Sequence, residues 1–136
     1  MCGIVEMNVP IHYNLFMAKL VHLEIHSKDI DKAKTFFSSV FGWEFDRWGG
    51  PKNYWLLKNE NEYDLKVTII DNSSSLQGII NTIEVISIDE TVEKIKKLGG
   101  KELVKKTAIE NTGYISYVSD LDGNVFGLVE KNSLAR

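Results

Sequence analysis

The chain has 136 residues, a net charge of −3, 43% hydrophobic residues and a single cysteine. That length suits one domain with a sizeable core, and one cysteine leaves no internal disulfide framework and fits a reducing compartment. No apolar run reaches membrane-spanning length, the N-terminus lacks a secretion pattern, and the lysines alternate with apolar residues as on a solvated helix face. A cytoplasmic protein with neither membrane nor nucleic-acid partners is therefore expected.

Residues 1–18 fit the remainder poorly and are expected to form a marginally packed arm ahead of a domain over 19–136. From Val21 to His26, apolar Val21, Leu23 and Ile25 alternate with polar His22, Glu24 and His26. A period of two sends these sets to opposite faces of a strand. Next, Ile30, Ala33, Phe37 and Val40 form the stripe of an amphipathic helix, with Gly42 where it would stop. The helix is expected on the Val21, Leu23 and Ile25 side, leaving His22, Glu24 and His26 on the opposite, concave side.

Trp43 to Trp48, Tyr54 to Leu57 and Leu65 to Ile70 read as three further strands, the last two joined by a polar turn at 59–62. Asp71 to Ser75 is a polar loop suited to a hinge or lid. The pattern then begins again. Ile79 to Ile86 reads as a strand and Asp89 to Leu98 as a helix, with Ile88, Val92, Ile95 and Leu98 on one face. Lys101 to Lys106, Tyr114 to Ser119 and Asn124 to Glu130 read as strands. A shift of 58 residues lays Asp31 on Asp89, Phe37 on Ile95, Val40 on Leu98 and Gly42 on Gly100. The fold class is thus α+β, a βαβββ unit occurring twice, at about 19–71 and 79–132. Asp120 to Asn124 lacks the glycine and glutamate spacing of a calcium loop and reads as a hairpin turn with Gly123 at positive φ.

With Phe41-Gly42-Trp43 after the first helix and Asp120-Leu121-Asp122-Gly123-Asn124-Val125-Phe126-Gly127-Leu128 near the end, the chain resembles the vicinal oxygen chelate superfamily. Glyoxalase I, extradiol dioxygenases and the fosfomycin and bleomycin resistance proteins belong to it. The resemblance spans about Leu20 to Asn132 and implies a cupped mixed sheet with the helices on its outer face. It also implies up to four metal ligands on the inner face, from the first and last strands of each unit. His22, seven residues before Asp29, matches the first. The other positions fall on Ile80, on Gly127 and near Thr68. One donor of four remains, so no metal residues are assigned and no cofactor is expected. The alternative is a divalent metal serving a lyase or dioxygenase of the glyoxalase I type.

His22 and Glu24 stand about 6.6 to 6.8 Å apart along one strand face, close enough to share a ligand, whereas His22 and His26 are twice as far apart. Three readings remain open for this face: half-wetted polar surface, hydrogen-bonding pocket for an organic ligand, or metal site. Of the aromatic residues, Trp55 and Tyr117 are taken as cavity lining for a flat ligand. The expected function is small-molecule binding by His22, Glu24, Trp55 and Tyr117, in a homodimer whose apolar rims pair.

Overall fold

The computed structural model describes residues 18–58, 65–71, 76 and 78–136. The expected arm, the turn at 59–62 and loop residues 72–75 lie outside the described residues, Ala18 and Asp71 apart. The first half runs β1 (Lys19–Ser27), α1 (Ile30–Phe41), β2 (Phe45–Arg47), β3 (Tyr54–Leu57) and β4 (Lys66–Asp71). The second runs β5 (Gly78–Glu84), α2 (Ile88–Lys97), β6 (Lys101–Ile109), β7 (Gly113–Ser119) and β8 (Val125–Lys131).

All eight strands form one mixed sheet in the order β2-β3-β4-β1-β5-β8-β7-β6. Within each half the first and last strands pair in parallel, β1 with β4 and β5 with β8. The halves join through antiparallel β1 and β5. This is the expected α+β architecture of two tandem βαβββ units. Ile30 and Ile88 open the two helices, in keeping with the 58-residue shift. Glu24 pairs with Thr68 across β1 and β4, as Thr82 pairs with Gly127 across β5 and β8. The expected correspondence of Thr68 with Gly127 therefore holds in the backbone register.

Local chemistry sets the helix ends. Asp29 and Ser87 cap α1 and α2, accepting from the backbone N–H of Lys32 at 3.1 Å and of Glu90 at 3.2 Å. Gly42, at φ +70°, closes α1 in the left-handed conformation that glycine adopts without a Cβ clash. The helices differ in what they bury. In α2, Ile88 and Val92 pack on Val85, Val118 and Leu128. No residue of α1 is fully buried, and Phe36, Val40 and Phe41 are more than half exposed. Leu98, expected on the packed face of α2, is instead its exposed C-cap.

Candidate functional site

The site is built on β1. Its register places Glu24 between Thr68 of β4 and Ile80 of β5, and His22 between Lys66 and Thr82. Leu56 lies opposite Thr68 and Tyr54 opposite Ile70, so these side chains share the inner face with Glu24. They line a cavity of about 370 Å³, its far wall formed by residues including Tyr114, Ile115 and Val129. One expected orientation changes. Val21 lines the cavity beside His22 rather than facing α1. The cause is a register shift between Leu20 and His22, an extra residue in β1 that breaks the alternation of faces.

Glu24 is 6% exposed yet carries a carboxylate, so its partners matter. The Tyr117 hydroxyl donates to Oε1 at 2.6 Å, and His26 Nε2 lies 3.1 Å from the same oxygen. Among the described residues both bonds land on Oε1, which leaves Oε2 for the cavity that Glu24 lines. His26 is buried behind Glu24 and set edge-on to the Tyr117 ring, with centroids 5.8 Å apart. Burial raises the Tyr117 hydroxyl far above the usual phenol range, and Glu24 adds to the effect, so Tyr117 acts as a fixed donor.

The aromatic wall differs from the expected one. Trp55 pairs with Ile69, which pairs with Ile25, and this register places it on the helix face. There Lys34 of α1 sits 3.3 Å from its ring centroid, and Asn53 Oδ1 accepts from its indole N–H at 3.2 Å. Its neighbour Tyr54 faces the cavity instead, stacked on Trp48 with centroids 5.4 Å apart and planes 20° apart. Burial, with Glu24 nearby, pushes the Tyr54 hydroxyl up to about 12. Tyr117 is not cavity lining but the support beneath Glu24. Tyr54, Trp48 and Lys66 lie outside the expected site, and Thr68 enters it only as the counterpart of a metal position. The signal for them is strand parity, which needs the pairing register as well as the sequence.

His22 lines the cavity. Burial lowers its pKa; Glu24 opposes this, while Lys66 and Lys131 add to it. A neutral imidazole at neutral pH offers one donor and one acceptor. The charged groups around the rim are partly committed. Lys131 pairs with Glu84 at 3.5 Å, and Glu130 Oε1 accepts from the Ile88 backbone N–H at 2.8 Å. Thr68 Oγ1 is buried on the cavity wall without a partner among the described residues.

The positions at which a metal shell would be completed do not suit one. Ile80 is 2% exposed and packs with Ile115 and Tyr117. A Cβ at Gly127 would stand 3.1 Å from Thr82 Oγ1 and 3.3 Å from Tyr117 Cε1, so even a methyl group there requires its neighbours to shift by a few tenths of an ångström. Thr68 supplies only a hydroxyl. Among the described residues no three His, Cys, Asp or Glu side chains converge as a metal-binding group.

The family model described as Bleomycin resistance protein-like N-terminal matches residues 19–53. The fosfomycin resistance protein FosX of Listeria monocytogenes is 27% identical over 115 residues, covering 80% of this chain and 86% of FosX. CFP32 of Mycobacterium tuberculosis, provisionally named a glyoxylase, is 27% identical over 116 residues. The chain spans only 44% of the length of that relative. Among solved structures, a glyoxalase/bleomycin resistance protein/dioxygenase superfamily member from Vibrio splendidus superposes with a TM-score of 0.59 at 16% identity. It covers 85% of this chain and 100% of its own. Methylmalonyl-CoA epimerase from Mycobacterium tuberculosis superposes with a TM-score of 0.58 at 16% identity, covering 83% of this chain and 87% of its own. At such identities the structural likeness speaks to fold.

Proposed function

The chain belongs to the vicinal oxygen chelate superfamily, and from that premise we propose that it binds a small organic ligand in the concave cavity without a tightly held metal. The observation that carries this reading is the convergence of His22 and Glu24 on one cavity, with Glu24 buttressed from behind by Tyr117 and His26. A cavity of about 370 Å³ with a stacked aromatic pair and a few placed polar groups has the size and make-up of a small-molecule site. The same superfamily includes metal enzymes. Here the completing positions are Ile80, Thr68 and Gly127, so an ion would have His22, at most Glu24, and water. Such a site is weak, because affinity follows ligand number and geometry.

His22 is the main polar determinant in this reading, as a donor or acceptor for a ligand carbonyl or hydroxyl. Replacing His22 by Ala is expected to weaken a ligand found by thermal-shift screening by about tenfold, the worth of one hydrogen bond. Stability in urea should stay within about 0.5 kcal/mol. A loss of about 2 kcal/mol or more would instead make His22 a structural group. Metal analysis after dialysis against a chelator should find no stoichiometric ion. Zinc, nickel or iron retained at one per chain would overturn the metal-free reading.

A further inference from the structure

Two groups of opposite charge line the cavity, and among the described residues they do not pair with each other. Glu24 presents Oε2 from the floor, its other oxygen taken by Tyr117 and His26. Lys66 also lines the cavity, and it makes no ion pair among the described residues. Of the other charged groups there, Lys131 pairs with Glu84, and one oxygen of Glu130 accepts from the backbone N–H at the start of α2. Register gives the spacing. Lys66 lies opposite His22 and Thr68 opposite Glu24, so the backbone positions of Lys66 and Glu24 are offset by one side-chain repeat, about 6.6 Å, along adjacent strands that lie about 4.8 Å apart. The same cavity is lined by the buried Thr68 hydroxyl, which has no partner among the described residues, and by the stacked Trp48 and Tyr54 rings.

We infer that the site selects a flat, amphoteric ligand: an ammonium or hydroxyl donor on Glu24, an acid group on Lys66, and a planar body against Trp48 and Tyr54. This deepens the ligand-binding reading above and rests on it. A carboxylate only accepts hydrogen bonds, so the floor demands a donor and repels a plain acid. Lys66 demands the opposite at the rim. A ligand with only one of the two groups leaves the other charge facing an empty or apolar contact, and discrimination arises from that unpaired group. A para-substituted benzene ring carrying an acid and an aminomethyl group holds the two groups at opposite ends of a flat body.

The probe is 4-(aminomethyl)benzoate, with 4-methylbenzoate and benzylamine as its two half-ligands, titrated into the full chain by calorimetry and by amide chemical shifts. The amphoteric probe is expected to bind at least tenfold more tightly than either half. In Glu24→Gln its advantage over 4-methylbenzoate should vanish, and in Lys66→Met its advantage over benzylamine. Gln keeps a carbonyl for the Tyr117 hydroxyl, and Lys66 is exposed, so the Lys66→Met arm remains decisive even if Glu24→Gln fails to fold. Equal binding of the three probes, no binding of 4-(aminomethyl)benzoate, or a preference unchanged by Lys66→Met would overturn the inference. A neutral ligand that still depends on His22 would then leave the broader ligand-binding reading standing.

Discussion

Glu24 occupies a position where a strand core ordinarily keeps an aliphatic side chain, and its two donors explain how the fold tolerates a carboxylate there. Tyr117 makes the shorter contact, and its ring is already held by Ile80 and Ile115. Tyr117→Phe should preserve that packing and remove only the hydroxyl. Because hydrogen bonds to charged groups contribute about 1.5 to 3 kcal/mol, urea denaturation of this variant should show a loss in that range. An unchanged midpoint would mean that Glu24 does not depend on the phenol. Alternation alone was enough to place His22 and Glu24 on one face. It could not reveal Tyr117 as the partner of Glu24, because the two are 93 residues apart and meet only across the assembled sheet. Trp55 and Tyr54 differ by one residue in strand parity, which puts them on opposite faces of the sheet.

Among the elements, the capped helices and the repeated strand order were the most legible, since Asp29, Gly42 and the apolar stripes act locally. Strand ends and irregularities were less so. The register shift in β1 turns Val21 into the cavity, and β6 runs to Ile109 through further shifts, beyond the expected Lys106. Neither follows from residue type, because a bulge is a property of two paired strands. Gly127 on β8 tests how closely the sheet is packed beneath the cavity. Gly127→Ala would press a methyl group against Thr82 and Tyr117, contacts of 3.1 to 3.3 Å that must give way. Overpacking of this kind costs about 1 to 3 kcal/mol, measurable as a lowered urea midpoint. A variant as stable as the parent would show room for a side chain there, and the case against a metal shell would lose its steric part.

At the scale of the whole molecule the halves share a topology but not a degree of cover. α2 is packed into a buried cluster, while α1 leaves Phe36, Val40 and Phe41 largely open beside Phe37 and Trp43. Contiguous apolar surface of this sort favours association. We expect a homodimer, with light scattering at micromolar concentration reporting twice the 15.5 kDa chain mass. A monomer under those conditions would reject it.

The seam between the halves is the pairing of β1 with β5, and the cavity straddles it. Its floor and one wall come from β1, β3 and β4, and its opposite wall from β7 and β8. A molecule seated there would touch both halves at once and work as a clasp. Parting the seam would then require releasing the clasp first, so occupancy would merge two units that could otherwise open independently into one cooperative body. The β1 and β5 amides would feel this most. Their exchange with solvent deuterium would slow on binding even where no ligand atom reaches them.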